Sequence, residues 1–578
     1  MRIAMKNVLF LIVCAGLTFG ASGQQDLITS RRSASSASDA GSALETVLAR
    51  RKGWIAKSEA AKPKLFRREV IPTNVVRLVQ DAAAFQGCRM ESAGPLTKVL
   101  GKPTKPGDSF ILDFGEHLVG RFSFRLGEGE LVMDAPCRLK FTFAETPGEL
   151  LGFEEKNWVG LSRSWYPDDT ITCDFAPMDY TLPRRYAFRY VKVETVFCPP
   201  GKPIFESFSA TAETSADEAN LVQWTAPNEM AGRIDRVARN TLRDCMQTMF
   251  EDGPKRDRRL WLGDLRLEAL ADYVTYRNFD VVKRSLYLLA GTAKDNGLVG
   301  TDAYEQPFPK PGNCRILDYT ALFPTVVLEY LETSGDRETA EDLWPLCVRQ
   351  MELVLDSVGE DGVVRMDKGW WYFIDHASLD RQVAEQGAVV YGLKGMMRLA
   401  KALGREGEVA FIPPAIGKMS AAARTRFWKP DRGVFAGGQS EKAAWLGQAW
   451  AVLSGIATGA EAKRCLEAVL ADSKADRPRT PYGYHYFVEA LYEAGLRKTA
   501  DELLLSYWGG MVEKGADTFW EAFVPGDDFA SPYGNHFLTS CCHAWSCGPT
   551  YLLRSPRFRA LSVLDGTNRV SVSESRER

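Results

Sequence analysis

The sequence lacks the features that mark several large classes of protein. Its 578 residues carry a formal net charge of −2, so nothing suggests binding to nucleic acid or to an anionic membrane. None of its 12 cysteines belongs to a Cys-x-x-Cys pair, and no cysteine–histidine spacing resembles a zinc site. After residue 23, no apolar run is long enough to cross a bilayer. We therefore expect no metal, no cofactor, no nucleic-acid partner and no membrane span.

What is present is the composition of an ordinary globular protein, with a leader at its amino terminus. Hydrophobic residues make up 45% and charged residues 25%, and the length suffices for two to four domains. Residues 1–23 combine a basic start at Arg2 and Lys6, an apolar run over 8–19 and the small residues 21–23. This pattern is typical of a secretory signal peptide, which predicts a secreted or periplasmic protein.

A change of texture near residue 105 predicts a β domain. Residues 24–104 are rich in Ser at first and in Lys and Pro later, and we expect them to be largely irregular. From there, apolar and polar residues alternate, as in Phe122 and Phe124 against Arg121, Ser123 and Arg125. Short alternating runs separated by turn residues are typical of an antiparallel β-sandwich, which we place at residues 105–215.

The apolar period becomes helical after residue 215. Helical spacing places five apolar residues on one face of the first predicted helix: Ile234, Val237, Ala238, Leu242 and Cys245. About twelve such stretches follow one another over residues 216–555, joined by loops rich in Gly, Pro and Trp. This number of helices predicts an (α/α)6 barrel, in which the ends of the inner helices and their loops line a central pocket. Residues 556–578 are polar and are predicted to form a short tail.

The loop at residues 251–264 has the most chemically suggestive composition in the chain. Seven ionisable side chains precede Trp261, and the segment ends at Asp264. Carboxylates can perform acid–base chemistry, arginine and aspartate bind hydroxyls in pairs, and an indole can stack on a pyranose ring. A solvated charge run at the start of a helix is the ordinary alternative for such a segment.

Several motifs resemble, in family order, those of the α-L-rhamnosidases of glycoside hydrolase family 78. The likeness extends from about residue 105 to 555. Its motifs are DGPKRDRRLWLGD at 252–264, DFGEHLVG at 113–120, LKFTFAE at 139–145, RYAFRYVKV at 185–193, TFWE at 518–521 and HAWSCG at 543–548. The resemblance implies a secreted, inverting glycoside hydrolase that acts in exo fashion on terminal rhamnose-like or rhamnosyl-uronate residues of plant polysaccharides. Its partner would be an oligosaccharide or polysaccharide.

The resemblance implies a role for Glu521 but departs from the family at the general acid. Glu521 matches the family's general base, which activates water. The family's general-acid glutamate falls on Arg258, and an arginine does not donate a proton at neutral pH. Losing the acid alone would lower the rate by about 10²–10⁴-fold. We choose Asp257 as the replacement acid, although a structural ion pair with an arginine explains it equally well.

Three functional interpretations follow from that departure. In the first, a neighbouring carboxylate such as Asp257 supplies the proton and the protein is a hydrolase. In the second, the arginine-rich loop binds a uronate, and a polysaccharide lyase cleaves a rhamnosyl–glucuronate linkage by β-elimination, with a histidine or tyrosine as base. In the third, catalysis is lost and the pocket only binds sugar.

Further residues are predicted to complete the pocket. His543, at the start of a helix, would bind a hydroxyl or, in a lyase, act as base. Aromatic stacking and hydroxyl binding are also expected from residues on other loops, although core packing or a plain turn would explain several of these. The predicted substrate-binding residues are Asp252, Arg256, Arg258, Trp261, Asp264, Tyr304, Trp371 and Asp375.

Overall fold

The protein consists of an antiparallel sheet domain followed by a helical domain. The computed structural model describes residues 34–367, 369–438 and 441–559. The predicted signal segment 1–23 lies outside these residues, as does the predicted polar tail from residue 560 onward. In the part of the chain that the structure describes, no helix is both long and apolar enough to traverse a bilayer.

Nine antiparallel strands form the sheet domain. Six of them lie in the order β1-β9-β4-β8-β5-β6, while β2 pairs with β3 and β4, and β7 pairs with β4. The long strand β4 therefore organises the domain. The strands are β1 (Phe66–Val70), β2 (Asn74–Gln80), β3 (Cys88–Gly94), β4 (Ser109–Gly127), β5 (Cys137–Ala144), β6 (Asp168–Cys173), β7 (Met178–Thr181), β8 (Tyr186–Phe197) and β9 (Ile204–Thr214).

The alternation seen in the sequence determines which side of the sheet is buried. Phe122 and Phe124 on β4 are buried, whereas Arg121 and Arg125 lie on the polar side and pair with acidic residues of neighbouring strands. The aromatic core continues onto β5, where the Phe143 ring stacks on the ring of Tyr186 of β8, with 3.8 Å between the ring centroids. The prediction of antiparallel β structure for this region is confirmed.

The prediction that residues 24–104 are largely irregular is wrong for most of those that the structure describes. Helix α1 (Ala34–Ala60) occupies its first part, and β1 to β3 join the sheet, so the sheet domain begins near residue 66 rather than 105. Trp54 of α1 is buried, and its indole nitrogen donates a hydrogen bond to Asp342 at 3.1 Å. Packing against the helical domain stabilises this helix, whose serine- and alanine-rich start gave little local signal.

The helical domain follows the sheet, as expected. In the described part of residues 223–555, the helices α2 to α13 supply the twelve segments that six hairpins require; α14 begins the predicted tail. These are α2 (Glu229–Cys245), α3 (Leu262–Tyr273), α4 (Phe279–Gly291), α5 (Leu317–Ser334), α6 (Arg337–Leu355), α7 (Gln382–Leu403), α8 (Ile412–Phe427), α9 (Trp445–Leu453), α10 (Gly459–Ala471), α11 (Pro481–Glu493), α12 (Arg497–Glu513), α13 (Gly548–Arg554) and α14 (Pro556–Arg559).

Short strands stabilise the loops at one end of these helices. β10 (Leu260–Trp261) pairs with β11 (Asp302–Tyr304), which pairs with β12 (Lys310–Pro311), so the loops before α3 and α5 are held together. A second hairpin, β13 (Trp428–Lys429) with β14 (Val434–Phe435), lies between α8 and α9. The first of these small sheets fixes Trp261 beside the loop that contains Tyr304.

Candidate active site

Glu521 lies at the centre of a buried hydrogen-bond network. Glu521 is 1% exposed. Its two carboxylate oxygens accept hydrogen bonds from Arg256 Nη2 at 2.7 and 2.6 Å. The hydroxyl of Tyr533 donates to Oε1, and the backbone N–H of Ser540 donates to Oε2 at 3.0 Å. The carboxylate is therefore fixed in orientation by three donors from separate segments.

The charged surroundings of Glu521 keep it ionised. Burial raises its pKa, but Arg256, followed by His543 and His376, outweighs burial and lowers the pKa to about 2. A group that must accept a proton from water has to be deprotonated at the working pH. Glu521 meets that requirement throughout the neutral range.

Arg256 connects Glu521 to the motif loop. Its Nη1 donates to Asp257 Oδ1 at 3.1 Å, and its Nε donates to the carbonyl oxygen of Leu538 at 2.9 Å. The guanidinium also lies over the Tyr533 ring, 4.4 Å from its centroid. One buried guanidinium thus contacts both carboxylates predicted to be catalytic, and residues 251–264 and 518–521 share one site.

Asp257 is held between two arginines but remains partly open. Its Oδ2 accepts a hydrogen bond from Arg259 Nη2 at 3.0 Å, while its backbone N–H donates to Asp252 Oδ2 at 3.4 Å. Its side chain is 16% exposed, against 2% for Glu521. Asp257 therefore offers a carboxyl group at the open side of the cluster.

Two further aspartates of the motif are enclosed. Burial, reinforced by the Asp257 carboxylate, raises the pKa of Asp252 well above its ordinary value. Burial, reinforced by Asp252, does the same to the pKa of Asp264. Asp252 is also fixed by main-chain contacts, because its carbonyl oxygen accepts a hydrogen bond from Ala544 N at 2.7 Å. Both aspartates are thus favoured in the neutral form, in which a carboxyl group both donates and accepts hydrogen bonds.

Two histidines border the carboxylates, and only one was predicted. His543 Nδ1 lies 3.6 Å from Asp264 Oδ1. The ring of His376, missed by sequence reasoning, makes edge contacts with Tyr533 at 6.0 Å and Trp545 at 5.8 Å. Burial lowers the pKa of each histidine to about 4, so both are neutral at neutral pH. The one available signal for His376 was its place at the end of an aromatic run.

Arg259 and two aromatic rings form another part of the site. Its guanidinium lies 4.8 Å from the Trp261 ring and 5.0 Å from the Tyr304 ring, and it donates to the Tyr304 hydroxyl. The pairing of Trp261 with Asp302 across β10 and β11 fixes this arrangement. Among the described residues, the buried indole nitrogen of Trp261 has no hydrogen-bond partner, so the protein leaves this donor unsatisfied.

Three predicted binding residues are placed differently from the others. Arg258 donates to the carbonyl oxygens of Pro254 at 2.8 Å and Arg185 at 2.5 Å. Asp375 is fully buried and accepts a hydrogen bond from Thr480 Oγ1 at 2.5 Å and three from backbone N–H groups. Trp371 is 46% exposed. Its backbone pairs with Ile316, at the start of α5. The structure therefore does not bring these three side chains into the Glu521 network.

The four cations of the motif loop do not present one anion-binding surface. Lys255 is buried against Glu145 and Glu149, and Arg256 is committed to Glu521. Arg258 binds main-chain carbonyls, and Arg259 binds Asp257. The cluster of free cations that a uronate-binding lyase would require is not formed by these residues.

The ion pair of Arg256 and Glu521 gives a testable pH dependence. A base that works ionised loses activity as pH falls through its pKa, so a lowered pKa extends activity to lower pH. In Arg256→Met the largest lowering influence disappears, and burial then raises the pKa of Glu521 from its low value. The acidic limb of kcat/KM should therefore move to higher pH. Arg258→Met is the matched control, and an equal shift in both variants would refute the assignment.

The fold and the site together define a class of protein: a six-hairpin glycosidase preceded by a β domain. Residues 223–555 match the "bacterial alpha-L-rhamnosidase 6 hairpin glycosidase domain" and residues 72–202 match the "glycosyl hydrolase family 78 alpha-rhamnosidase N-terminal domain". The chain belongs to glycoside hydrolase family 78, the α-L-rhamnosidases. The family resemblance read from the motifs is confirmed.

Solved structures agree with this assignment. A rhamnosidase from Klebsiella oxytoca, described with rhamnose bound, is 38% identical, with a TM-score of 0.84 over 87% of this chain and 98% of that chain. The family 78 rhamnosidase of Bacillus sp. GL1 is 20% identical, with a TM-score of 0.68 over 81% of this chain and 49% of that chain. The second comparison shows the fold alone, within a longer protein. A search of curated proteins gave no match.

Proposed function

We propose that the protein hydrolyses terminal α-L-rhamnosyl residues with inversion of configuration. The observation that carries this proposal is the Arg256 guanidinium, which contacts both Glu521 and Asp257. Two carboxyl groups on either side of the scissile bond are what inverting hydrolysis requires. The Klebsiella relative with rhamnose bound supports rhamnose as the sugar.

Glu521 is the general base in this mechanism. Its carboxylate accepts a proton from a water molecule, whose oxygen then attacks the anomeric carbon on the face opposite the leaving group. Inverting enzymes place the two carboxyl groups about 6.5–9.5 Å apart to leave room for that water. Arg256, Tyr533 and the Ser540 N–H orient the carboxylate, which reduces the reorganisation needed at the moment of attack.

Asp257 is the general acid, which protonates the glycosidic oxygen as the bond breaks. Its partial exposure supports this choice, because a proton donor must reach the leaving oxygen of a bound substrate. Asp252 and Asp264 are 4% and 2% exposed and are better suited to bind hydroxyl groups. In this proposal the acid has moved by one position from the place where the family motif has glutamate.

The residues around the carboxylates suit a neutral sugar. Unpaired buried atoms at the site include Trp261 Nε1, Asp264 Oδ1 and His543 Nδ1, which together offer donors and acceptors to hydroxyl groups. The cations of the loop already have protein partners, so a neutral rhamnosyl group is preferred over a uronate at the cleavage position. The exo action on plant polysaccharides rests on the family resemblance, and the secreted location rests on the pattern of residues 1–23.

The proposal is tested by the first-formed product. Incubation with an aryl α-L-rhamnoside should release rhamnose as the β-anomer, visible by proton NMR before mutarotation, because water attacks from the opposite face. In ¹⁸O-labelled water the released sugar should carry the label at its anomeric carbon. Initial formation of the α-anomer would exclude inversion. On a rhamnosyl–glucuronate oligosaccharide, an ultraviolet-absorbing unsaturated uronate together with unlabelled rhamnose would establish the lyase. Sugar binding without turnover of either substrate would establish a binding protein.

A further inference from the structure

The catalytic carboxylate is held by a neighbouring backbone segment, residues 539–541. The backbone N–H of Glu521 donates to the carbonyl oxygen of Ser540 at 2.9 Å. In return, the N–H of Ser540 donates to Glu521 Oε2 at 3.0 Å. Ser540 Oγ also donates to the carbonyl oxygen of Arg256 at 3.2 Å. A displacement of this segment would therefore move both the main chain and the carboxylate of Glu521.

The residues on either side of Ser540 are bound by a buried ionic cluster at the boundary with the sheet domain. Glu145, which follows the end of β5, accepts a hydrogen bond from the N–H of Cys541 at 2.5 Å through its Oε2. Lys255 donates to the carbonyl oxygen of Thr539 at 2.9 Å. The same ammonium lies 3.4 Å from Glu145 and 3.0 Å from Glu149.

This cluster is enclosed and its members depend on one another. The side chains of Glu145 and Lys255 are each 1% exposed, and that of Glu149 is 2% exposed. His117 Nε2 lies 3.3 Å from the other oxygen of Glu145. When one member of a buried ion pair is removed, the partner is left charged without compensation, and the structure around it rearranges. The cluster can therefore transmit a change in the sheet domain to residues 539–541.

We propose that Glu145 of the sheet domain is a positioning residue for Glu521. It acts through two backbone links, from its Oε2 to the N–H of Cys541 and from Ser540 to the Glu521 carboxylate. Lys255 completes the link, because it belongs to the same ionic cluster and directly precedes Arg256 in the chain. The inference rests on the proposed role of Glu521 as the base, and it makes the sheet domain a part of the catalytic apparatus.

The test measures kcat and KM of Glu145→Ala and Glu145→Gln with an aryl α-L-rhamnoside. Loss of positioning should lower kcat by about 10- to 100-fold with a smaller change in KM, because misplacing a catalytic group by about 1 Å has effects of this size. Glu145→Gln keeps an oxygen that can accept from Cys541, so it should retain more activity than Glu145→Ala. Activity is expressed per folded protein, from the unfolding transition of each variant.

A double-mutant cycle separates positioning from a general loss of structure. If Glu145 acts through Glu521, its replacement should have little further effect in the Glu521→Gln background, since the group it positions is already absent. Equal fold-losses in both backgrounds would overturn the proposal. Full activity of Glu521→Gln would instead refute the proposed base, and wild-type kcat in both Glu145 variants would refute only the positioning role.

Glu116→Gln provides a control at a more exposed ion pair of the same domain boundary. Glu116 lies on β4 and pairs across the same domain boundary with Arg243 of α2, at 3.7 Å. In the part of the chain that the structure describes, neither Glu116 nor Arg243 forms a hydrogen bond or an ion pair with residues 539–541, so the variant should keep wild-type kcat. A loss in Glu116→Gln as large as that in Glu145→Gln would show that any weakened boundary lowers activity, which would overturn a specific role for Glu145.

Discussion

Glu521→Gln is expected to lower kcat by about 10²–10⁴-fold, the usual contribution of a general base. Glutamine keeps the shape of the side chain but cannot accept a proton from water. The effect should appear in kcat more than in KM, because the proton is transferred during the chemical step. The measurement is the steady-state rate of rhamnose release from an aryl α-L-rhamnoside.

A partly buried glutamate elsewhere in the helical domain supplies the control for that experiment. Glu329 on α5 also pairs with an arginine, Arg266, at 2.7 Å, so Glu329→Gln makes the same chemical change to a comparable ion pair. Its kcat per folded protein should stay near that of the wild type. Equal activity of Glu521→Gln and the wild-type protein would remove Glu521 from the mechanism.

Asp257→Asn is expected to show an effect that depends on the leaving group. A general acid matters most when the departing oxygen is strongly basic, as in a disaccharide, and least when it is a nitrophenolate. We expect a loss of about 10²–10⁴-fold on a rhamnosyl disaccharide and a much smaller loss on the nitrophenyl rhamnoside. Rates on the two substrates are compared for the same preparation of enzyme.

The pair of substrates also serves as the internal control for Asp257. A structural defect would reduce both rates by the same factor, since it lowers the amount of competent enzyme without regard to the leaving group. Equal losses on the two substrates would therefore contradict the assignment of Asp257 as the acid. In that outcome the role of Asp257 would be structural, through its ion pairs with Arg256 and Arg259.

The sequence predicted those parts of the fold that have a periodic signal. Alternation at Phe122 and Phe124 indicated the antiparallel sheet, and helical spacing from Ile234 onward indicated the hairpins. Helix α1 was missed because its stability comes from tertiary contacts such as that of Trp54 with Asp342, which no local pattern reveals. Strand β1 was missed for the same reason, because it pairs with β9 far along the chain, whereas β2 and β3 pair with each other as neighbours in the sequence.

At the site, the motifs indicated which segments meet but not how each side chain is used. Arg256 and Glu521 were both singled out, and the structure places them in contact. The binding prediction for Asp375 could not anticipate its hydrogen bonds to residues 479 and 480, because these residues lie about a hundred positions away. His376 was assigned no role because a single histidine in an aromatic run has no spacing that marks it.

Helix α1 has a consequence for the order in which the polypeptide matures. Arg50 of this helix bonds Asp342 on α6, a partner 292 positions later in the chain, while β1, only a few residues after the helix, pairs with β9 in the sheet. During synthesis from the amino terminus, the first helix must therefore wait until more than half of the protein has left the ribosome. Its docking is a late event that closes a very long loop, and it ties the segment leading into β1 to the helical domain.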